Sequence, residues 1–162
     1  CTGISVESAA NTSSGNCTTQ TFSTQDTESF DVMRSIVGAT AIVFGVQASN
    51  DANIGLYSSK GVVSEMYHLV YGGWDNTKSV LRRCNQCTNL AEYSASILSD
   101  AEERIFWADW TNGLIRMGTG TEVGYNMFLS WQDADPFVPE YVGFMTGWGA
   151  DATWSLYRPL TI

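Results

Sequence analysis

Basic residues are scarce in this chain. Eight Lys and Arg stand against seventeen Asp and Glu in 162 residues, giving a formal net charge of −9 with one histidine. Binding a nucleic-acid backbone takes clustered cations to neutralise phosphates, and no basic run is present, so nucleic acid is excluded as a partner. No apolar stretch reaches the roughly 18 residues of a membrane-spanning helix, so no membrane insertion is expected. A helical period of 3.6 persists nowhere for 11 residues, and no internal repeat is visible. Nucleophilic catalysis is poorly supplied: there is no G-x-S-x-G elbow, and His68 lies mid-strand between Tyr67 and Leu69, where a structural histidine is expected. Asp133 and Asp135 are too close in sequence for the usual glycosidase pair, whose acids come from separate strands. No catalytic residue is assigned, and the chain is expected not to be an enzyme.

Aromatic and apolar residues fill the place of the missing charge. The chain is 44% hydrophobic and only 15% charged, with six Trp, seven Tyr and seven Phe. That balance, with frequent Gly and Thr, favours an all-β protein. Residues 1–29 are rich in Ser, Thr, Asn and Gln, and read as a disulfide-tethered N-terminal arm. Residues 30–162 read as the ligand-binding domain. Strands are predicted over 40–47, 53–58, 65–74, 78–83, 104–110, 114–118, 125–131 and 141–146, with a last one near Trp154. Asn112-Gly113 marks a hairpin turn, while residues 90–98 suit either a helix or a strand. Nine or ten strands with polar turns predict an antiparallel β-sandwich.

Cys1, Cys17, Cys84 and Cys87 form an even set. Cys84-x-x-Cys87 has the spacing of half a zinc site, but Cys1 and Cys17 do not supply the other half. Disulfides are therefore expected, in any of three connectivities. A start at Cys1 without Met suggests removal of a signal peptide, and the sequons at Asn11 and Asn16 fit a secreted, extracellular protein.

The densest chemistry lies in residues 124–154. Gln132-Asp133-Ala134-Asp135-Pro136 places two carboxylates one residue apart in a loop stiffened by Pro136 and Pro139. Calcium takes six to eight oxygen ligands from such acids and carbonyls. The first-ranked metal set is Gln132, Asp133, Asp135 and Glu140, with Asp133 and Asp135 also meeting sugar hydroxyls and Trp131 covering the sugar's apolar face. Trp110 and Phe137 are alternates for that ring. The bland counterpart is a capped turn in which each Asp bonds a nearby N–H. A second cluster, Asp75, Asn76 and Asp151 with Trp148 and Trp74, competes. If residues 90–98 form a strand, the loops at Asp51, Asp75, Asp100 and Asp151 share one end of the sandwich, and Gln132–Pro136 joins Asn112 and the Cys84–Cys87 loop at the other.

Four segments occurring in order carry a family likeness: SNDANIGL from Ser49, GGWDNTKSVLR from Gly72, FWADW from Phe106 with NGLIRMG from Asn112, and VGFMTGWGA from Val142. Together they resemble the farnesoic acid O-methyltransferase-like domain, a β-sandwich module, over roughly residues 30–156. Three carboxylates depart from the family pattern: Asp75 after Gly73-Trp74, Asp151 after Gly149-Ala150, and Asp135 before Pro136. Acids added at loop tips do nothing for a core and point to a ligand. Methyl transfer usually uses a glycine-rich strand-to-helix turn, yet Gly118-Thr119-Gly120 has Val123 in place of a third glycine and leads into a strand. In size and secreted character the chain also resembles an invertebrate galactose-specific, calcium-dependent lectin. That resemblance implies calcium as cofactor, galactose-containing glycans as partners and a homodimer for avidity. The competing expectations are a metal-free adhesion module and a methyltransferase-like enzyme.

Overall fold

A computed structural model of the chain describes residues 19–59 and 65–157. Twelve strands run in chain order: β1 (Gln20–Thr24), β2 (Val32–Ser35), β3 (Ala41–Gln47), β4 (Ala52–Tyr57), β5 (Met66–Gly72), β6 (Lys78–Arg82), β7 (Ala91–Ser94), β8 (Arg104–Thr111), β9 (Leu114–Thr119), β10 (Met127–Gln132), β11 (Tyr141–Met145) and β12 (Ala152–Leu156). They form two six-stranded antiparallel sheets, ordered β1-β12-β3-β8-β9-β10 and β2-β11-β4-β5-β6-β7. The all-β sandwich expected from composition is what the chain adopts.

Alternation along each strand builds the core between the sheets. Phe44 of β3 sits at its centre, 5.1 Å from Tyr71, 5.9 Å from Phe106 and 5.9 Å from Trp154 between ring centroids. Ile54, Leu56, Leu69 and Phe144 face them from the second sheet, all fully buried. Burying each such side chain contributes about 1.5–3 kcal/mol. The Tyr71 hydroxyl ties the two sheets by donating to the Trp107 carbonyl at 3.0 Å.

Strands β4 and β5 are buried at every position, so the second sheet is covered on its outer face as well. Register places Met33, Gly143, Gly55, His68 and Arg82 in one row across that face. The paired glycines leave room for aromatic rings to lie close to the backbone: a Cβ on Gly143 would meet Phe30 at 3.2 Å. Phe30 in turn packs edge-on against Tyr57 and His68.

The expected arm of residues 1–29 needs correction over its described part. Residues 20–24 are β1, paired residue for residue with β12. Polar Gln, Thr and Ser dominate this strand, yet Phe22 packs 4.7 Å from Phe144 and the Trp154 indole N–H donates to Thr24 Oγ1 at 2.8 Å. An edge strand needs only one inward anchor, so its composition stayed polar. With β2 this raises the count from the expected nine or ten strands to twelve among the described residues. In residues 90–98 the strand is confined to Ala91–Ser94. The strand predicted to reach Trp74 stops at Gly72, whose φ of 62° opens a left-handed turn. Cys84 and Cys87 are joined to each other. Cys1, Cys17 and the sequons at Asn11 and Asn16 lie outside the described residues.

One glycine sets a packing limit. A Cβ on Gly118 would overlap the six-membered ring of Trp107, which is fully buried and anchored by its indole N–H to the Tyr125 carbonyl at 2.8 Å. Gly118→Ala should therefore cost about 2–3 kcal/mol of unfolding free energy, read in a urea titration.

Candidate functional site

The two sequence-ranked clusters lie at opposite ends of the sandwich. Strand β10 ends at Gln132, whose side-chain amide donates to the Asn112 carbonyl at 3.1 Å, while the Asp133 N–H donates to the Gly113 carbonyl at 2.8 Å. The carboxylate loop thus sits beside the β8–β9 hairpin. Asp133 is 8% exposed, and both of its oxygens are engaged: Oδ2 accepts from Tyr67 at 2.7 Å and Arg83 Nε at 2.8 Å, and Oδ1 from the Asp135 N–H at 3.0 Å. Burial alone would raise the Asp133 carboxyl, but the bonds from Asp135, Tyr67 and Arg83 outweigh it and hold it below the ordinary value. Arg83 is itself held over the Tyr67 and Phe137 rings, 5.0 and 4.8 Å from their centroids.

These residues do not fit a calcium shell as arranged. A guanidinium occupies the position a cation would take, and the Asp135 backbone caps the other oxygen. Glu140 engages by its backbone, accepting from Ile36 at 2.8 Å and donating to Tyr57 at 2.9 Å. Trp131 packs half-buried against the core rather than standing free as a platform. Asp133→Ala should cost about 2–3 kcal/mol, because it strands the Tyr67 hydroxyl and Arg83 at the end of the core. Thermal unfolding checks this.

At the other end the chain builds a cavity of about 380 Å³, lined by Asp51, Asn53, Val70, Trp74, Asp75, Arg82, Gln86 and Trp148. Its floor follows from the sheet alternation: Asn53, Val70 and Arg82 point outward from β4, β5 and β6. Its walls come from two loops with unusual backbones. Trp74, Asp75 and Asn76 have φ of 51°, 54° and 59°, and Trp148 has φ of 53°. The left-handed region costs a non-glycine residue roughly 1–2 kcal/mol, yet both tryptophans stand 45% exposed. Asn76 fixes the first loop from behind: its Oδ1 accepts from Ile97 and Leu98 N–H at 3.0 Å, and its Nδ2 donates to the Leu98 carbonyl at 3.0 Å.

The competing cluster is therefore divided. Asp75 and Trp148 line the cavity, joined by Trp74, whereas Asn76 is a strut. Asp151 accepts from the Asp26 N–H at 2.8 Å and lines a separate depression with Asp100 and Ser49. The loops at Asp51, Asp75, Asp100 and Asp151 line these two neighbouring hollows, as follows when residues 90–98 include a strand. Among the described residues no group of three or more His, Cys, Asp or Glu is gathered for a metal ion.

Asp51 is 8% exposed, and Oδ2 accepts from Asn50 at 2.7 Å. Burial raises its pKa, with Asp75 and Glu28 adding to the rise against the Asn50 bond and the Arg82 charge. Arg82 donates through Nε to Asn89 at 2.7 Å and lies 5.5 Å from the Trp74 ring centroid, where Lys78 also sits at 4.5 Å. Beneath them runs a relay. Gln86 N–H donates to His68 Nδ1 at 3.2 Å, which leaves the ring proton on Nε2 to bond Asn53 Oδ1 at 2.7 Å. Asn53 Nδ2 then donates to the Asp51 carbonyl at 2.8 Å. His68 is buried and neutral; burial, then the Arg82 charge, lowers its pKa to about 3. It connects the Cys84–Cys87 loop to the cavity floor.

The farnesoic acid O-methyl transferase family profile matches residues 18–160. The chain belongs to that family. Among solved structures this family member is similar to a prokaryotic β-1,3-1,4-glucanase (lichenase) derived from a mouse hindgut metagenome, at 15% identity over 80% of this chain and 69% of that one, with a TM-score of 0.53. It is also similar to a Bacillus licheniformis β-glucanase, at 14% identity over 93% of this chain and 90% of that one, with a TM-score of 0.53. At such identities the likeness shows the sandwich fold alone. No curated protein matches by sequence.

Sequence reasoning placed Asp75, Trp74 and Trp148 in a candidate cluster but did not assign Asp51, Asn53, Arg82 or Gln86 to it. The available signal was the alternation of Val80 and Arg82 against Leu81, which puts Arg82 on the outer face above whatever loop borders it.

Proposed function

We propose that this chain is an extracellular carbohydrate-binding module holding glycans in the cavity between Trp74 and Trp148, without chemistry on them. The observation that carries the reading is the pair of half-exposed indoles on strained backbone beside a cavity lined by carboxylate, amide and guanidinium groups. An indole face covers the C–H face of a pyranose, while the polar lining exchanges hydrogen bonds with its hydroxyls. The glucanase fold likeness agrees with a polysaccharide ligand. Both ring nitrogens of His68 are engaged within the protein, which leaves it unavailable as a general base and supports binding over catalysis.

Galactose-type terminal sugars enter from the likeness to calcium-dependent lectins. Calcium itself is not carried over, because Tyr67, Arg83 and the Asp135 N–H already fill the Asp133 oxygens. The Cys84–Cys87 bond fits an oxidising compartment. One shallow site binds weakly, so a homodimer would supply avidity. Calorimetric titration with galactose- and glucose-terminated oligosaccharides, in calcium and again in chelator, tests the reading, with sedimentation giving the subunit number. Saturable binding to at least one neutral oligosaccharide is expected, unchanged by chelator because the Asp133 loop is already satisfied. Absence of glycan binding together with methyl transfer from S-adenosylmethionine would replace this reading by the enzyme that the family name denotes.

A further inference from the structure

We infer that the cavity prefers sugars bearing a protonated amino group, as in 2-amino-2-deoxyhexoses, over their N-acetylated and anionic counterparts; this rests on the carbohydrate reading above. The charges that line the cavity do not balance. Asp51 and Asp75 contribute two carboxylates and Arg82 one guanidinium. Lys78 does not redress this, because its charge is paired with Glu92 at 3.5 Å while it lies over the Trp74 ring. Arg82 offsets one of the two carboxylates, while its Nε bonds the neutral Asn89 amide and its guanidinium lies near the same indole. The lining thus retains one uncompensated negative charge in a space lined by two tryptophans.

That combination suits an ammonium group. A carboxylate accepts its hydrogen bonds, and the Trp148 indole face is attractive to a cation within about 6 Å, the Trp74 ring already carrying Lys78 and Arg82. The pKa of Asp51 is raised chiefly by burial, with Asp75 and Glu28 adding to the rise against the Asn50 bond and Arg82. Converting the amine to an acetamide removes the charge and adds bulk. A sialylated or sulfated sugar would bring an anion into a negative field, where like charges repel.

The test uses the full chain with single-charge ligands, so that its net charge of −9 does not simply gather a polycation. Methyl glucosaminide, methyl N-acetylglucosaminide, methyl glucoside, methyl galactoside and a sialyl glycoside are titrated separately at pH 7 in physiological salt. The readout is the indole N–H resonances of the six tryptophans. The amine should bind about tenfold more tightly than its N-acetyl form and perturb the Trp74 and Trp148 signals, with the sialyl glycoside weakest. Asp75→Asn should bring the amine and the neutral glycosides to parity. Surface Glu102→Gln should change nothing. Equal binding of amine and neutral sugars by the wild type, or tighter binding of the sialyl sugar, would overturn the inference and leave the carbohydrate reading standing. If no glycoside shifts either indole, the carbohydrate reading falls with it. A preference that survives Asp75→Asn and Asp51→Asn together would place the charge recognition elsewhere and overturn the assignment to this cavity.

Discussion

Acidification from pH 7 to pH 4.5 should lower the unfolding free energy by roughly 2.5 kcal/mol through His68 alone. The unfolded imidazole titrates near 6.5, whereas the folded one is lowered to about 3 by burial and then by Arg82. Between those values the unfolded chain binds more protons than the folded one. Stability is therefore complete above pH 6.5 and is lost as pH falls towards 3, at up to about 1.4 kcal/mol per pH unit. Asp51 works in the opposite sense, since its raised folded pKa lets the folded state protonate first as pH falls. Asp133, held low, adds its own loss only below the ordinary carboxylate range. The chain has one histidine, so His68→Gln is a clean control. Chemical denaturation from pH 4.5 to 7 should give a steep line for the wild type and a shallow one for the variant. Parallel lines would mean that His68 does not stay neutral in the fold. Protonation of the folded ring removes the acceptor for the Gln86 N–H, so the Cys84–Cys87 loop should loosen only as pH falls towards 3.

The pieces that were legible in the sequence share a physical cause. Core strands carry alternation or unbroken apolar runs because they face a packed interior, and β3 to β6 and β8 to β11 fall close to their predicted bounds for that reason. Strand β1 hid because an edge position tolerates polar residues. The surroundings of the carboxylate loop were not legible, for a different reason. Asp133 and Asp135 look like metal ligands because they are neighbours in sequence, but Arg83 comes from just past the end of β6 and Tyr67 from β5, fifty and sixty-six positions away. A carboxylate's partner across the fold decides whether it is a ligand or a brace, and spacing does not carry that information. Asp75 and Trp148 were legible because their loops place acid and aromatic residues where a core has no use for them.

Replacing both cavity tryptophans with glycine should abolish glycan binding and leave the fold nearly as stable as before. Each indole is expected to carry at least 2 kcal/mol of affinity, as central aromatic contacts do, so each single variant should bind about thirtyfold less well. Their folding costs are small by comparison. Trp74 gives up its contacts with Lys78 and Arg82, worth roughly 0.5–1 kcal/mol at an exposed site. Glycine in return relieves a left-handed backbone at φ of 51°, worth roughly 1–2 kcal/mol. Trp148, at φ of 53°, gains likewise and keeps its carbonyl for Asn50 Nδ2 at 3.3 Å. Melting temperatures should hold or rise while affinity disappears, which is the signature of side chains kept for function against stability. A buried indole behaves otherwise: Trp154→Ala empties a site packed by Phe22, Phe44 and Phe144 and should cost about 3–5 kcal/mol. If the Trp74→Gly and Trp148→Gly variants instead melt as low as Trp154→Ala, the two exposed rings are part of the scaffold and the cavity loses its claim to be the binding site.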